Sequence, residues 1–279
     1  MKTNRLYSYV IILAIALWHM PAWANGYNLQ IGGIEVTSDN YANISAAGGF
    51  SAVQKGTVSY DHASNTLTLN NATIKASKDV SAVKMFAAGK PFVIKLVGHN
   101  ILETSGTGDA VSTFFCSLRP TGDGTLEASA NLAITSGNYL TLDGGCTIEA
   151  EAPIWASQTI VINDAKVHAK AKTGEPAFSA FGGIELRGGS YVADPEGATC
   201  EQWNHKARNG NAYVYLKDGK PCDDVLIKRG KNTGIENAAT PPPTKEDVIY
   251  TLDGVRMKLP FERLPKGVYI VNGKKVKKE

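Results

Sequence analysis

Between Leu67 and Ala193 apolar and polar residues alternate with a period of two, and the alternation is broken at regular places by Gly, Asn or Asp. One short phrase recurs six times: LTLNNATIKA (67–76), VIKLVGHNILE (93–103), SLRPTGDGTLEA (117–128), LTLDGGCTIEA (140–150), IVINDAKVHA (160–169) and IELRGGSYVA (184–193). Each copy holds two apolar residues two apart, a turn, and a second apolar strand start. The last apolar anchors, Ile74, Ile101, Leu126, Ile148, Val167 and Val192, lie 27, 25, 22, 19 and 25 residues apart. A strand period inside a super-period of roughly 20–30 residues predicts stacked rungs, each burying its inward face on the next. The expected fold is all-β: a right-handed parallel β-solenoid (β-helix) of about six rungs with β caps and a small C-terminal β appendage.

A second landmark precedes the strand phrases: Ala82-Val83, Ala110-Val111, Ala133-Ile134, Pro153-Ile154 and Ala177-Phe178. A small residue followed by an apolar one suits a tight corner with its neighbour filling the core. Phe86, Phe114 and Phe181 each lie four residues after the small residue of a pair and are expected to form an internal stack.

The flanks divide the chain. Residues 1–24 have a basic start (Lys2, Arg5), an apolar stretch and an Ala22-Trp23-Ala24 exit, the pattern of a cleaved signal peptide, so the protein is expected to be secreted or held at the cell surface. The apolar stretch is too short to span a bilayer. Residues 25–66 read as an N-terminal β cap, with a hairpin at Gly32-Gly33, because an open solenoid end leaves backbone groups unpaired. The repeats occupy 67–199 and a C-terminal cap hairpin 200–229. Residues 230–245 form a Pro-rich linker, and 246–279 a separate β tail.

Charge narrows the classes of partner. The whole chain carries 29 Lys+Arg and 26 Asp+Glu; without the two leader bases the counts are 27 and 26. So balanced a protein has no global field to draw nucleic acid. Its four cysteines show no CxxC spacing. Cys200 and Cys222 flank the C-terminal cap and are disulfide candidates in an exported protein, whereas Cys116 and Cys146 read as small buried residues.

Candidate chemistry is sparse. No nucleophile elbow or phosphate-binding glycine loop occurs, and His62, His99, His168 and His205 are scattered. Asp109, Asp123, Asp143 and Asp164 sit beside Gly or Asn, where aspartate supports turns. Glu103, Glu127 and Glu149 fall at nearly one phase of successive rungs. Stacking would set them about 5 Å apart in an outward column, which either recruits Ca²⁺ or is interrupted by Lys75 and His168 at equivalent positions. Tyr139 and Trp155 are candidate sugar platforms.

Two resemblances add to this reading. IYTLDGVRM (249–257), LPKGVYIV (264–271) and the basic NGKKVKK ending (272–278) resemble the C-terminal sorting domains of type IX secretion in Bacteroidota, over about 34 residues. That resemblance implies an export tail recognised by the secretion machinery. Tyr27–Ser38 and Ser59–Ile74 resemble bacterial surface proteins that open with a Y-x-L-x-[VI]-G-G-x-x-V-T-S cap and continue into β-helix rungs. Such proteins are commonly labelled carbohydrate-binding, which implies a non-catalytic binding or adhesion module for polysaccharide or glycan. The alternatives are a β-helix polysaccharide lyase or glycoside hydrolase, whose sites use clustered carboxylates, and a structural surface spacer. The expectation is no catalytic residue, no cofactor unless Ca²⁺, no nucleic acid, and ligand contacts at Trp155, Tyr139, Glu103, Glu127 and Glu149.

Overall fold

The computed structural model describes residues 25–86, 89–205, 210–230, 249–251, 256–257, 264, 266–271 and 274–278. The expected leader and linker therefore lie outside the described residues, the linker except for Gly230. The chain divides into two compact units, Met1–Asn232 and Thr233–Glu279.

The first unit is a β-solenoid. It opens with β1 (Gly26–Ile31) and β2 (Ile34–Thr37), an antiparallel hairpin turning at Gly32-Gly33, followed by β3 (Val53–Asp61) and β4 (Thr66–Lys75). Five coils of three strands follow. They are β5 (Val83–Phe86), β6 (Phe92–Val97) and β7 (His99–Glu103); β8 (Val111–Phe114), β9 (Leu118–Gly122) and β10 (Thr125–Ser129); β11 (Ile134–Ser136), β12 (Leu140–Leu142) and β13 (Thr147–Ala150). The last two are β14 (Ile154–Ala156), β15 (Thr159–Asn163) and β16 (Lys166–Lys170); and β17 (Phe178–Ala180), β18 (Gly183–Arg187) and β19 (Tyr191–Asp194). The cap strands β20 (Thr199–His205), β21 (Gly210–Lys217), β22 (Lys220–Pro221) and β23 (Asp224–Lys228) complete the unit.

Three parallel faces result. The first stacks β5, β8, β11, β14 and β17; the second stacks β4, β6, β9, β12, β15 and β18; the third stacks β4, β7, β10, β13 and β16. Strand β4 serves two faces because it bends at Asn71, whose φ of 49° is left-handed. The same corner recurs in every coil at a residue of positive φ: Gly98, Gly122, Gly144, Asp164 and Gly188. Gly, Asn and Asp tolerate that region best, which is why they punctuate the repeated phrase.

Inward side chains form continuous columns. Val83, Val111, Ile134, Ile154 and Phe178 stack in register on the first face, as the small–apolar corner pairs foretold. Phe92, Leu118, Leu140, Ile160 and Ile184 do so on the second. On the third face the inward column runs Asn100, Leu126, Ile148, Val167. Ile101, taken as an anchor from the sequence, points outward; its neighbours Asn100 and Leu102 are the fully buried residues. The alternation misled here because a polar residue occupies an inward position. Asn100 is fully satisfied there: Oδ1 accepts from Ala72 N at 2.9 Å, and Nδ2 donates to the carbonyls of Val97 (3.1 Å) and Thr125 (3.2 Å).

Antiparallel strands cover both ends of the first and third faces and one end of the second, where β18 forms the far edge. At one end β1 pairs with β5 and β3 with β4; at the other β21 pairs with β17. Strand β23 inserts antiparallel between β16 and β19, so the last copy of the phrase does not stack directly on its predecessor on this face. These strands occupy edges that would otherwise template further pairing.

The second unit is a four-stranded antiparallel sheet ordered β25 (Arg256–Met257), β24 (Ile249–Thr251), β26 (Gly267–Val271), β27 (Lys274–Lys278). Its small core holds Ile249, Leu264 and Tyr269. Among the described residues there is no helix, and none long and apolar enough to cross a membrane.

The cysteine expectations divide. Cys116 and Cys146 are buried, as read from the sequence. Cys200 and Cys222, the disulfide candidates, are both free. Cys200 pairs with Tyr215 across one side of β21, while Cys222 N donates to Tyr215 O on the other. Two strand spacings, about 9.6 Å, exceed the roughly 7 Å Cα separation a disulfide allows.

Candidate functional site

Outward residues of the third face line an open groove of about 680 Å³ that crosses β7, β10, β13 and β16. Its lining includes His99, Glu103, Glu127, Glu149, Glu151 and Lys166. The parallel register sorts these into columns. Glu127, Glu149 and His168 share one; Lys75, Glu103 and Ser129 share the next; His99, Thr125, Thr147 and Lys166 share the third. The three glutamates read from the sequence therefore reach one groove but not one column. Glu103 faces Ser129, and Glu127 faces Ile101. The displacement has the same origin as the misread anchor: once Asn100 is inward, the phase of the whole second rung moves by one.

Every carboxylate in the groove has its own base. Lys75 Nζ lies 2.6 Å from Glu103, His99 Nε2 2.8 Å from Glu127, Lys166 Nζ 2.6 Å from Glu149, and Lys170 Nζ 3.0 Å from Glu151. The Glu151 contact holds the Lys170 ammonium above its ordinary range. His168 spans two acids, with Nδ1 3.3 Å from Glu149 and Nε2 2.7 Å from Asp224 of β23. Like charges on adjacent strands repel, and the Glu127–Glu149 pair is flanked by His99 on β7 and Lys166 on β16, each bonded to the nearer carboxylate. No group of three or more His, Cys, Asp or Glu side chains is arranged to hold a metal ion among the described residues. The chemistry left is a polar trough whose paired carboxylate, imidazole and ammonium groups face solvent as hydrogen-bond donors and acceptors.

The two aromatic candidates lie elsewhere. Trp155 is a half-buried outward residue of β14 on the first face, edge-on to Phe181 at 6.0 Å. Tyr139 is 49 % exposed at the corner between the first and second faces. Around them are aromatics expected to be internal that are not: Phe86, Phe114 and Phe181 are 36, 38 and 39 % exposed. They stand at outward parity, since Val83 and Met85, or Phe178 and Ala180, take the inward positions. Phe115, which sequence reasoning passed over, is 79 % exposed and adopts a φ of 61°, a conformation rare for a bulky residue.

Comparison with family models, curated proteins and solved structures finds no match.

Proposed function

We propose that this chain is an exported, non-catalytic binding or adhesion module whose ligand is a polysaccharide or glycan, held along the groove of the third face. The observation that carries the reading is the groove itself: an open trough of about 680 Å³ that runs across four stacked strands and is lined by carboxylates each paired with a base. A hydroxyl-rich chain lying along the strand stack offers each of these groups both a donor and an acceptor. The cap and first-rung residues Tyr27–Ser38 and Ser59–Ile74, which resemble exported carbohydrate-binding β-helix proteins, support the same ligand class.

The rival is a glycoside hydrolase, favoured by one relationship: Glu127 and Glu149 face each other on adjacent strands. Two carboxylates about 5 Å apart are the pair a retaining hydrolase needs. Here each is already engaged by a base, which supports binding over catalysis.

A glycan array probed with and without EDTA tests the proposal. Binding in both conditions, without release of reducing ends, supports it. Absence of binding in both would refute it, and product formation would establish the enzyme.

A further inference from the structure

We propose a second ligand site, a ring-sized notch in the first face that takes a single pyranose unit through its C–H face. It rests on the glycan reading but uses none of the groove residues.

The argument begins with the outward column nearest the Tyr139 corner. Phe86 and Phe114 face each other in register on β5 and β8. Their rings stack with centroids 4.9 Å apart and planes 13° from parallel. That separation matches the strand spacing of about 4.8 Å, so the rings lie flat, one above the other, along the solenoid axis. Lys84 Nζ sits 4.7 and 5.3 Å from the two centroids and covers their flank.

The column then empties. Thr113 pairs with Ser136, which places Gly137 next above Phe114, and Gly137 N donates to Thr113 O at 2.9 Å. Ser157 follows, its N bonded to Ser136 O at 3.0 Å. Phe181 closes the column one strand further, next to Ala180, which pairs with Ala156. Two successive rungs thus carry a glycine and a serine between two phenylalanines, a separation of about 14 Å between the aromatic rungs. Trp155, two residues before Ser157, borders the gap and meets Phe181 edge-on. Beside it the Thr135 hydroxyl is enclosed and has no hydrogen-bond partner.

The gap is enforced by the backbone. A Cβ at Gly137 would lie 2.8 Å from Thr113 O and 2.9 Å from Phe115 N, so no larger residue fits there. A ring entering the gap continues the Phe86–Phe114 stack on the side of Phe114 away from Phe86. The Ser157 hydroxyl and the exposed Gln158 amide stand beside it for the ring's polar edge. An apolar face with a hydroxyl rim describes a pyranose better than a wholly apolar ligand, because aromatic faces attract the positive edge of C–H groups.

Saturation-transfer NMR on the full chain, with the methyl glycosides of glucose, galactose, mannose and N-acetylglucosamine as probes, tests this site. The expected result is transfer to the axial C–H protons of one ring face of at least one glycoside. In a Glu127→Gln/Glu149→Gln background, where groove binding is weakened, that transfer should be abolished by Ser157→Phe, which fills the notch, and reduced roughly tenfold by Phe181→Ala. It should persist in Glu127→Gln, and a thermal melt of each variant separates lost binding from lost folding. No transfer from any glycoside, transfer that survives Ser157→Phe in that background with the protein folded, or loss in Glu127→Gln would each overturn the notch. If polysaccharide is still retained through the groove when the notch fails, the glycan reading stands without it.

Discussion

Glu127 and Glu149 face each other on β10 and β13, and each is engaged from a diagonal position by a different base: His99 at 2.8 Å and Lys166 at 2.6 Å. Two bases on flanking strands give each carboxylate of the facing pair its own hydrogen-bonding partner. The groove therefore presents an uncharged, hydroxylated ligand with both donors and acceptors. Such solvent-exposed pairs contribute only about 0.2–1 kcal/mol each to stability, which leaves their geometry free to serve binding.

Stability at this end of the solenoid rests more on Asn100 than on those pairs. Asn100→Ala strands the Ala72 amide and the carbonyls of Val97 and Thr125 in a dry interior. The expected cost is about 2–4 kcal/mol, read as a fall in the urea midpoint. A change too small to measure would show that these backbone groups find other partners.

Alkaline pH should loosen the fold. Burial pushes the Cys146 thiol and the Tyr60 phenol each up to about 12 and raises Tyr215 as well. In the unfolded chain these groups ionise at their ordinary values of 9.0 and 10.0. Above pH 9 the unfolded state thus binds fewer protons than the folded one, and stability falls with pH. The contribution is complete below pH 9 and is lost as pH rises toward 12. Equal urea midpoints at pH 8 and pH 10.5 would contradict it.

Cys200 and Cys222 should label to the same extent with or without reductant. Because β21 separates Cys200 from Cys222, denaturation without reductant followed by maleimide labelling should add four labels by intact mass. Two labels would mean a disulfide forms, and with it a different packing of the C-terminal cap.

The division at Asn232 makes the tail separable. Truncation before Thr244 should leave the solenoid's melting temperature and circular dichroism unchanged. A cooperative loss of β signal on truncation would show that the body depends on residues beyond it.

The architecture was legible because a solenoid repeats its signal: inward Leu, Ile and Val at period two, and a left-handed corner residue in each copy. The corner pairs Ala82-Val83 to Ala177-Phe178 aligned in register for the same reason. What failed was parity. Asn100 is polar and inward, so the second rung slid by one and carried Glu103 into the wrong column. Phe86, Phe114 and Phe181 are apolar and outward, so they read as core. Hydrophobicity alone assigns both cases to the wrong side, and the notch that these phenylalanines frame could not be seen until the strand register was known.

The most direct measurement is retention of a polysaccharide bound by the full chain, compared with the Glu127→Gln/Glu149→Gln double variant. The groove account expects an affinity lower by roughly tenfold or more with a melting temperature within a few degrees of the parent. Undiminished retention by the folded double variant would contradict it.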